Sequence, residues 1–139
     1  MVIDGDKQFA LIMVYIKSLL AKIGVDVPHV MVNTAYTNSK GNLFLDKNGI
    51  NRKCVPTGVK NAHPVVEQYV IGANDEPNGH GTVCVKWPEL KELLKDKMEN
   101  EHCKKLLAFL RLSNPYVGDA ICNLLMIEAV LMDLGYSVS

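Results

Sequence analysis

The stretch that decides the fold covers residues 70–85 and reads VIGANDEPNGHGTVCV. Both of its ends are rich in β-branched residues and its centre is polar, which is the pattern of two strands joined by a turn. Asn78-Gly79 is a strong turn dipeptide, because both residue types tolerate a positive φ angle. The pattern predicts a third strand over 70–72, a polar loop over 74–81 and a fourth strand over 81–87.

The polar loop has two interpretations. As a plain hairpin turn it needs no further role, and its local sequence alone favours that interpretation. Alternatively, Glu76 and Asn78 point out of the turn as paired acceptor and donor groups for a polyhydroxylated ligand. Both interpretations place the loop on a rigid support of two strands.

The rest of the chain alternates between helical and strand patterns. Apolar residues recur every three or four positions over 6–23, which predicts a helix that Asp4 or Asp6 caps and Gly24 ends. The further predicted elements are a strand over 29–33, a short helix over 38–47, a strand over 50–55, a helix over 63–69 with Pro64 in its first turn, a long helix over 89–112 and a centrally buried last helix over 120–134.

This order of elements predicts an α/β fold with one domain over residues 1–139. Three strands joined by helical crossovers should be parallel, and the fourth, reached by a tight turn, should be an antiparallel edge strand. The result is a mixed four-stranded sheet sandwiched between helices. In such sheets the loops at the carboxyl ends of the parallel strands carry the binding groups. Here those loops follow Asn33, Val55 and Ile71.

Composition narrows the possible partners. The 139 residues suit a single domain, and 15 basic residues balance 15 acidic ones, so no net charge attracts nucleic acid or an anionic membrane. No apolar run reaches the roughly 18 residues of a membrane span, and the N-terminus lacks the order of a signal peptide.

The four cysteines form no C-x-x-C pair. Reduced thiols and a cytoplasmic location are expected.

Two further segments suggest ligand sites. Asp4-Gly5-Asp6 could hold a metal ion, but no third acidic residue follows, and a helix cap is the better interpretation. Thr57-Gly58-Val59-Lys60 is a glycine-containing turn with a lysine leading into a helix, an arrangement that suits phosphate. A lone Lys60 is more often a solvated surface residue. No catalytic nucleophile is recognisable.

Five motifs together resemble a known family. They are Ile3-Asp4-Gly5-Asp6-Lys7, Thr34-Ala35-Tyr36, Thr57-Gly58-Val59-Lys60, Asn78-Gly79-His80-Gly81 with Glu76 before it, and Gly118-Asp119-Ala120-Ile121. In this order they resemble the third of the four domains of the phosphoacetylglucosamine mutases, within the α-D-phosphohexomutase superfamily. The motif from Glu76 to Gly81 is the most specific. Asn74-Asp75 departs from the usual pattern, since the family has a more apolar or aromatic approach to Glu76.

The resemblance implies an isomerase that interconverts N-acetylglucosamine 6-phosphate and 1-phosphate on the path to UDP-N-acetylglucosamine. In this family a phosphoserine on domain one transfers the phosphoryl group, Mg²⁺ is held on domain two, and domain four binds the unreacting phosphate. The partners would be the sugar phosphate and the other domains of the parent enzyme. The implied substrate-binding residues are Thr57, Gly58, Lys60, Glu76, Asn78, Gly79 and His80.

The resemblance also implies that Met1 begins an isolated domain, which should not turn over substrate because the phosphoserine and the metal site are elsewhere. Two alternatives stay open. One is a domain of the phosphoglucomutase or phosphomannomutase type, which acts on sugars without an N-acetyl group. The other is a stand-alone, non-catalytic α/β binding module.

Overall fold

The computed structural model describes residues 3–136, so the predicted start at Met1 lies outside the described residues. The elements, in chain order, are α1 (Gly5–Ile23), β1 (His29–Thr34), α2 (Ser39–Lys47), β2 (Arg52–Val55), α3 (Val59–Val66), β3 (Ile71–Asp75), β4 (Gly81–Val85), α4 (Trp87–Leu94), a 3₁₀ turn (Lys95–Lys97), α5 (Glu101–Leu110) and α6 (Ala120–Asp133).

The four strands form one mixed sheet in the order β2-β1-β3-β4. β1 pairs in parallel with both β2 and β3, and β3 pairs antiparallel with β4. This arrangement confirms the predicted sheet, including the antiparallel edge strand. The loops that follow β1, β2 and β3 therefore leave the same edge of the sheet, and β1 lies between the other two.

α1 is the centre of the larger core. Its fully buried side chains recur at helical spacing, and it packs against α5, α6 and β3. The Asp4 carboxylate caps it by accepting a hydrogen bond from the Lys7 backbone N–H at 3.1 Å, and Gly24 ends it with a φ of 78°. Both helix boundaries thus use the residue types that the sequence predicted.

α3 covers the opposite face of the sheet. Ala62 and Val66 of this helix pack on Val30 and Val32 of β1 in a second, smaller cluster. The helix spans Val59–Val66 rather than the predicted 63–69, so Pro64 lies inside it and not in its first turn. The start was misplaced because the apolar pair at 62 and 66, four residues apart, has to face β1.

The prediction of one continuous helix over 89–112 is wrong, because the segment forms two separate helices. α4 ends at Leu94, a 3₁₀ turn follows, and a separate helix α5 begins at Glu101. The Asn100 side chain accepts hydrogen bonds from the backbone N–H groups of His102 at 2.8 Å and Cys103 at 3.3 Å, which caps α5. A capping asparagine between two helical patterns favours a break, because it satisfies amides that would otherwise lack partners.

Strand limits also differ from the prediction. β3 continues to Asp75, so Asn74 and Asp75 belong to the strand and the loop opens at Glu76 instead of Gly72. β2 begins at Arg52 and β4 ends at Val85. Pairing with β1 and β4 explains the longer β3, since Asn74 and Asp75 lie opposite Thr82 and Gly81.

α6 is not buried on all sides as predicted. Asn123, Met126, Ile127 and Val130 are its buried residues. Its exposed apolar side chains are Ile121, Leu124, Leu125 and Met132. A helix that is apolar on nearly every face gives no periodicity from which the packed side could be read. No helix within residues 3–136 is both long enough and apolar enough to cross a membrane.

The asymmetric burial of α6 can be tested with two methionines of that helix. Met126 is fully buried and Met132 is 76% exposed. Met126→Ala should lower the free energy of unfolding by about 2–5 kcal/mol, because it leaves a cavity in the core. Met132→Ala, the matched control, should change it by less than about 0.5 kcal/mol. Urea unfolding measures both, and equal losses would contradict the placement of α6.

Candidate functional site

The loop between β3 and β4 is a short, closed hairpin. The Glu76 backbone N–H donates to the His80 carbonyl at 2.8 Å, and the Gly79 N–H donates to the Glu76 carbonyl at 2.9 Å. Gly79 has a φ of 91°, whereas no non-glycine residue among 3–136 has a positive φ. A three-residue loop that ends in a left-handed glycine has this form. Asn78 therefore does not use the positive φ that its residue type permits.

The side chains of this loop are joined as well. Asn78 Nδ2 donates to Glu76 Oε2 at 3.0 Å, and Asn78 Oδ1 accepts from the His80 backbone N–H at 2.8 Å. The structure thus brings Glu76 and Asn78 together. A carboxylate accepts several hydrogen bonds and a carboxamide has two N–H groups, so both retain capacity for a ligand. The pair presents an acceptor and a donor side by side.

Two glycines let neighbouring segments approach this loop closely. A Cβ atom on Gly5 would collide with the Glu76 carbonyl oxygen and lie 2.8 Å from the Gly79 nitrogen. A Cβ atom on Gly118 would lie 2.9 Å from Cδ2 of the His80 ring. Sequence reasoning did not assign these glycines a role at the site. The sequence feature that could have identified Gly5 and Gly118 is their position next to the helix-capping residues Asp4 and Asp119.

The downstream arm of the hairpin is anchored from outside the sheet. Thr82 Oγ1 donates to the Asn114 carbonyl at 2.5 Å, and Asn123 Nδ2 of α6 donates to the Gly81 carbonyl at 3.3 Å. The segment before α6 therefore covers the edge strand, which would otherwise expose unpaired backbone groups. The loop is held from both of its ends.

A buried polar cluster lies beneath the upstream arm. Asp75, at the end of β3, is 2% exposed and accepts a long hydrogen bond of 3.4 Å from Asn33 Nδ2 of β1. Asp6 of α1 is also buried, and its Oδ2 accepts from the Asn38 backbone N–H at 2.9 Å. Burial, and secondly the neighbouring Asp6 carboxyl, raise the pKa of Asp75 to about 8.

The predicted phosphate turn lies on the other side of β1. Thr57 and Gly58 follow β2, Lys60 is exposed, and Gly58 has a φ of 120°. Neighbouring strands lie about 4.8 Å apart, so the turn and the hairpin loop leave the sheet about 10 Å from each other. The Thr57–Lys60 turn and the hairpin loop therefore lie at the same end of the sheet, on either side of β1.

A groove opens beside the hairpin loop. Its volume is about 530 Å³, within the range of sites for small molecules. Its walls come from the hairpin loop, from α1 with the residues before it, and from α6. The lining residues are Ile3, Gln8, Asn78, Gly79, Ala120, Asn123, Leu124, Ile127, Glu128 and Leu131.

A metal site is not formed by the acidic residues near this edge. Within residues 3–136, no group of three or more His, Cys, Asp or Glu side chains could hold a metal ion. Asp4 instead caps α1 and forms an ion pair with Lys7, with 2.7 Å between its Oδ2 and the lysine Nζ. This agrees with the interpretation of Asp4-Gly5-Asp6 as a helix cap.

A comparison with models of protein families shows the family to which this chain belongs. The family model described as phosphoacetylglucosamine mutase AMG1, domain III, matches residues 4–136. The chain belongs to the phosphoacetylglucosamine mutase family. This result confirms the resemblance to the third domain of these enzymes.

Individual phosphoacetylglucosamine mutases agree with the family match. The human enzyme is 37% identical over 143 aligned positions, which cover 98% of this chain and 26% of the relative. Phosphoacetylglucosamine mutase 2 of Schizosaccharomyces pombe is 32% identical, with 93% of this chain and 25% of the relative covered. The chain thus spans about a quarter of the length of these relatives.

Solved structures of the family share the fold. N-acetylglucosamine-phosphate mutase in its apo form superposes with a TM-score of 0.85 at 35% identity, over 97% of this chain and 31% of that one. The Aspergillus fumigatus enzyme in complex with GlcNAc-6P and magnesium gives a TM-score of 0.87 at 29% identity, over 98% of this chain and 29% of that one. The phosphohexomutase domain fold that the sequence predicted is confirmed.

The contact between α1 and the hairpin loop can be tested with Gly5→Ala. The added Cβ would meet backbone atoms of Glu76 and Gly79, so we expect a loss of about 1–3 kcal/mol in the free energy of unfolding. The amide NMR signals of residues 76–80 should also shift.

Gly41→Ala, inside α2, is the matched control for this variant. A Cβ there has nothing within 4 Å, so it should stabilise the chain by about 0.5–1 kcal/mol. Unchanged loop signals in Gly5→Ala would show that α1 does not support the loop.

Proposed function

We propose that this chain is the sugar-recognition domain of a phosphoacetylglucosamine mutase, an isomerase that interconverts N-acetylglucosamine 6-phosphate and 1-phosphate. The observation that carries the proposal is the hydrogen-bonded pair of Glu76 and Asn78, which the hairpin presents at the carboxyl end of β3. Family membership and the position of the loop in an α/β sheet support it. UDP-N-acetylglucosamine synthesis would consume the 1-phosphate product.

The reaction explains why such a pair is useful. A sugar whose two phosphate positions exchange roles has to bind in two opposite orientations. Groups that hold it should therefore grip hydroxyls that occupy nearly the same place in both orientations, as the neighbouring 3- and 4-hydroxyls do. A carboxylate that accepts from hydroxyls and a carboxamide that donates and accepts fit two adjacent hydroxyls.

The remaining site residues would complete the contact. Lys60 would approach the phosphate, and Thr57 and Gly58 would shape the turn that leads to it. Gly79 lets the loop backbone come close to the sugar, since it has no side chain. His80, with its ring against Gly118, would form the wall of the site on the α6 side.

The transfer chemistry is expected outside this chain. The chain covers 26% of its human relative, and residues 3–136 hold no cluster of metal ligands. The Aspergillus fumigatus relative has been crystallised with magnesium, and we propose that Mg²⁺ serves the full-length enzyme from another domain. By itself the chain should bind a sugar phosphate weakly and not turn it over. The cytoplasmic location stays a prediction.

Binding is tested by NMR titration of this chain with N-acetylglucosamine 1-phosphate. The amide signals of residues 57–60 and 74–81 should shift, and Glu76→Gln should weaken the response because it removes the charge of the acceptor. Glucose 1-phosphate is the comparison ligand that tests the preference for an N-acetylated sugar. Shifts confined to residues remote from both segments would contradict the proposed site.

Catalysis is tested in the full-length enzyme. Glu76→Ala should lower kcat/KM by on the order of 10²-fold or more, because a charge-assisted hydrogen bond to the transition-state complex is worth a few kcal/mol. Glu92→Ala on α4 is a matched control, since Glu92 is exposed and pairs locally with Lys95 at 2.5 Å. Wild-type kinetics in Glu76→Ala would remove Glu76 from the proposed role.

A further inference from the structure

Two buried carboxyl groups meet beneath the hairpin loop. Asp6 follows Gly5, which lies against the Glu76 carbonyl, and Asp75 directly precedes Glu76, so the two carboxyl groups are neighbours. Each has one oxygen already occupied, Asp6 Oδ2 by the Asn38 N–H and Asp75 Oδ1 by the Asn33 side chain. The other two oxygens, Asp6 Oδ1 and Asp75 Oδ2, are buried and have no hydrogen-bond partner among the described residues. A hydrogen bond between the two carboxyl groups would satisfy both oxygens.

Such a bond requires a proton, because two carboxylates carry only acceptors. Among the described residues, the charged groups that act on Asp75 are Asp6 and Asp4, which are both acidic. Asn33 of β1 donates one hydrogen bond, and Gly81 of β4 is its strand partner and has no side chain. Asp4 acts on it as a further negative charge and is itself paired with Lys7. Two like charges in a buried contact repel strongly, so one group retains its proton.

We propose that Asp6 and Asp75 share one proton and that this carboxyl–carboxylate pair positions Glu76. The pair joins the first turn of α1 to the last residue of β3, directly before Glu76. Asp6 also follows Gly5, which touches the Glu76 carbonyl. Loss of the shared proton places two negative charges in this contact and drives α1 and the loop apart. The link to sugar recognition rests on the function proposed above.

The pair predicts a direction for the pH dependence of stability. The pKa of Asp75 is about 8 in the folded chain and near 3.8 when unfolded, so the folded state holds the proton more tightly. The contribution of the pair to stability is therefore greatest at low pH and falls as the pH rises towards 8, above which it levels off. Relative to a variant without the pair, the unfolding constant should rise by up to about tenfold per pH unit over this window.

Urea unfolding of the chain between pH 5 and 9 tests this. The urea midpoint of the wild type should fall from pH 5 to about pH 8 and then level off, while Asp75→Asn should show little of this fall and exceed the wild type at pH 9. Asp26→Asn is the matched control, because Asp26 is exposed and its variant should follow the wild type. Asp6→Asn is a second variant. It removes the neighbouring carboxyl but leaves Asp75 buried, so its midpoint should fall less than that of the wild type and at lower pH. An Asp6→Asn midpoint that falls as in the wild type would refute the shared proton.

NMR of the same variants tests the positioning of Glu76. In the wild type the Asp75 carboxyl carbon and the amides of residues 76–80 should titrate together with a midpoint near 8, and binding of N-acetylglucosamine 1-phosphate should weaken above it. In Asp75→Asn the loop amides should lose that titration. If Asp75 acted only through its packing, with no proton exchanged near neutral pH, the loop amides would show no such midpoint. In Asp6→Asn the common midpoint should move to lower pH, and an unchanged midpoint there would refute proton sharing with Asp6.

The outcomes separate the two proposals. If the carboxyl and loop signals titrate as expected but no sugar phosphate binds at any pH, the proton pair stands and the proposed function falls. If the sugar phosphate binds while the Asp75 carboxyl titrates near pH 4 and the unfolding midpoint does not depend on Asp75, the shared proton is refuted and the proposed function stands.

Discussion

The site depends on the close contact between the first turn of α1 and the hairpin that joins β3 to β4. Gly5 makes this contact possible, because any side chain there would collide with the Glu76 carbonyl. α1 is also the helix on which α5 and α6 pack, so the loop is supported by the centre of the larger core. The geometry of an exposed loop is thereby tied to a buried helix, and Gly5 is the residue at which the two meet.

The sheet and its helices could be predicted from local patterns, whereas the packing of α6 and the break near Asn100 could not. Strand patterns alternate along the chain with helical patterns and turn residues. The type of connection between consecutive strands then restricts how the strands can be arranged in the sheet. α6 is apolar on most faces, so only the shape of its neighbours decides that Met126 is buried and Met132 exposed. The charged stretch before Asn100 fits a helix as well as a turn, and the capping bond decides between them.

At the site, the residue types predicted which groups would be present but not how they would be held. The sequence indicates that Glu76 and Asn78 lie on one turn. That the Asn78 side chain is fixed between Glu76 and the His80 N–H is seen only in the folded loop. The proposed pairing of Asp6 with Asp75 joins residues 69 positions apart in the sequence, so no local sequence pattern could predict it.

The fixed side chains of Glu76 and Asn78 suit a ligand that has to bind in two orientations. A loop whose acceptor and donor are already oriented loses little side-chain entropy when a sugar binds, in either orientation. This orientation lowers the stability of the fold, because Asp6, Asn33 and Asp75 are buried where apolar residues would pack without an electrostatic penalty. Polar groups beneath a binding loop thus lower the stability of the domain and give Glu76 a defined position, as buried polar groups at functional sites commonly do.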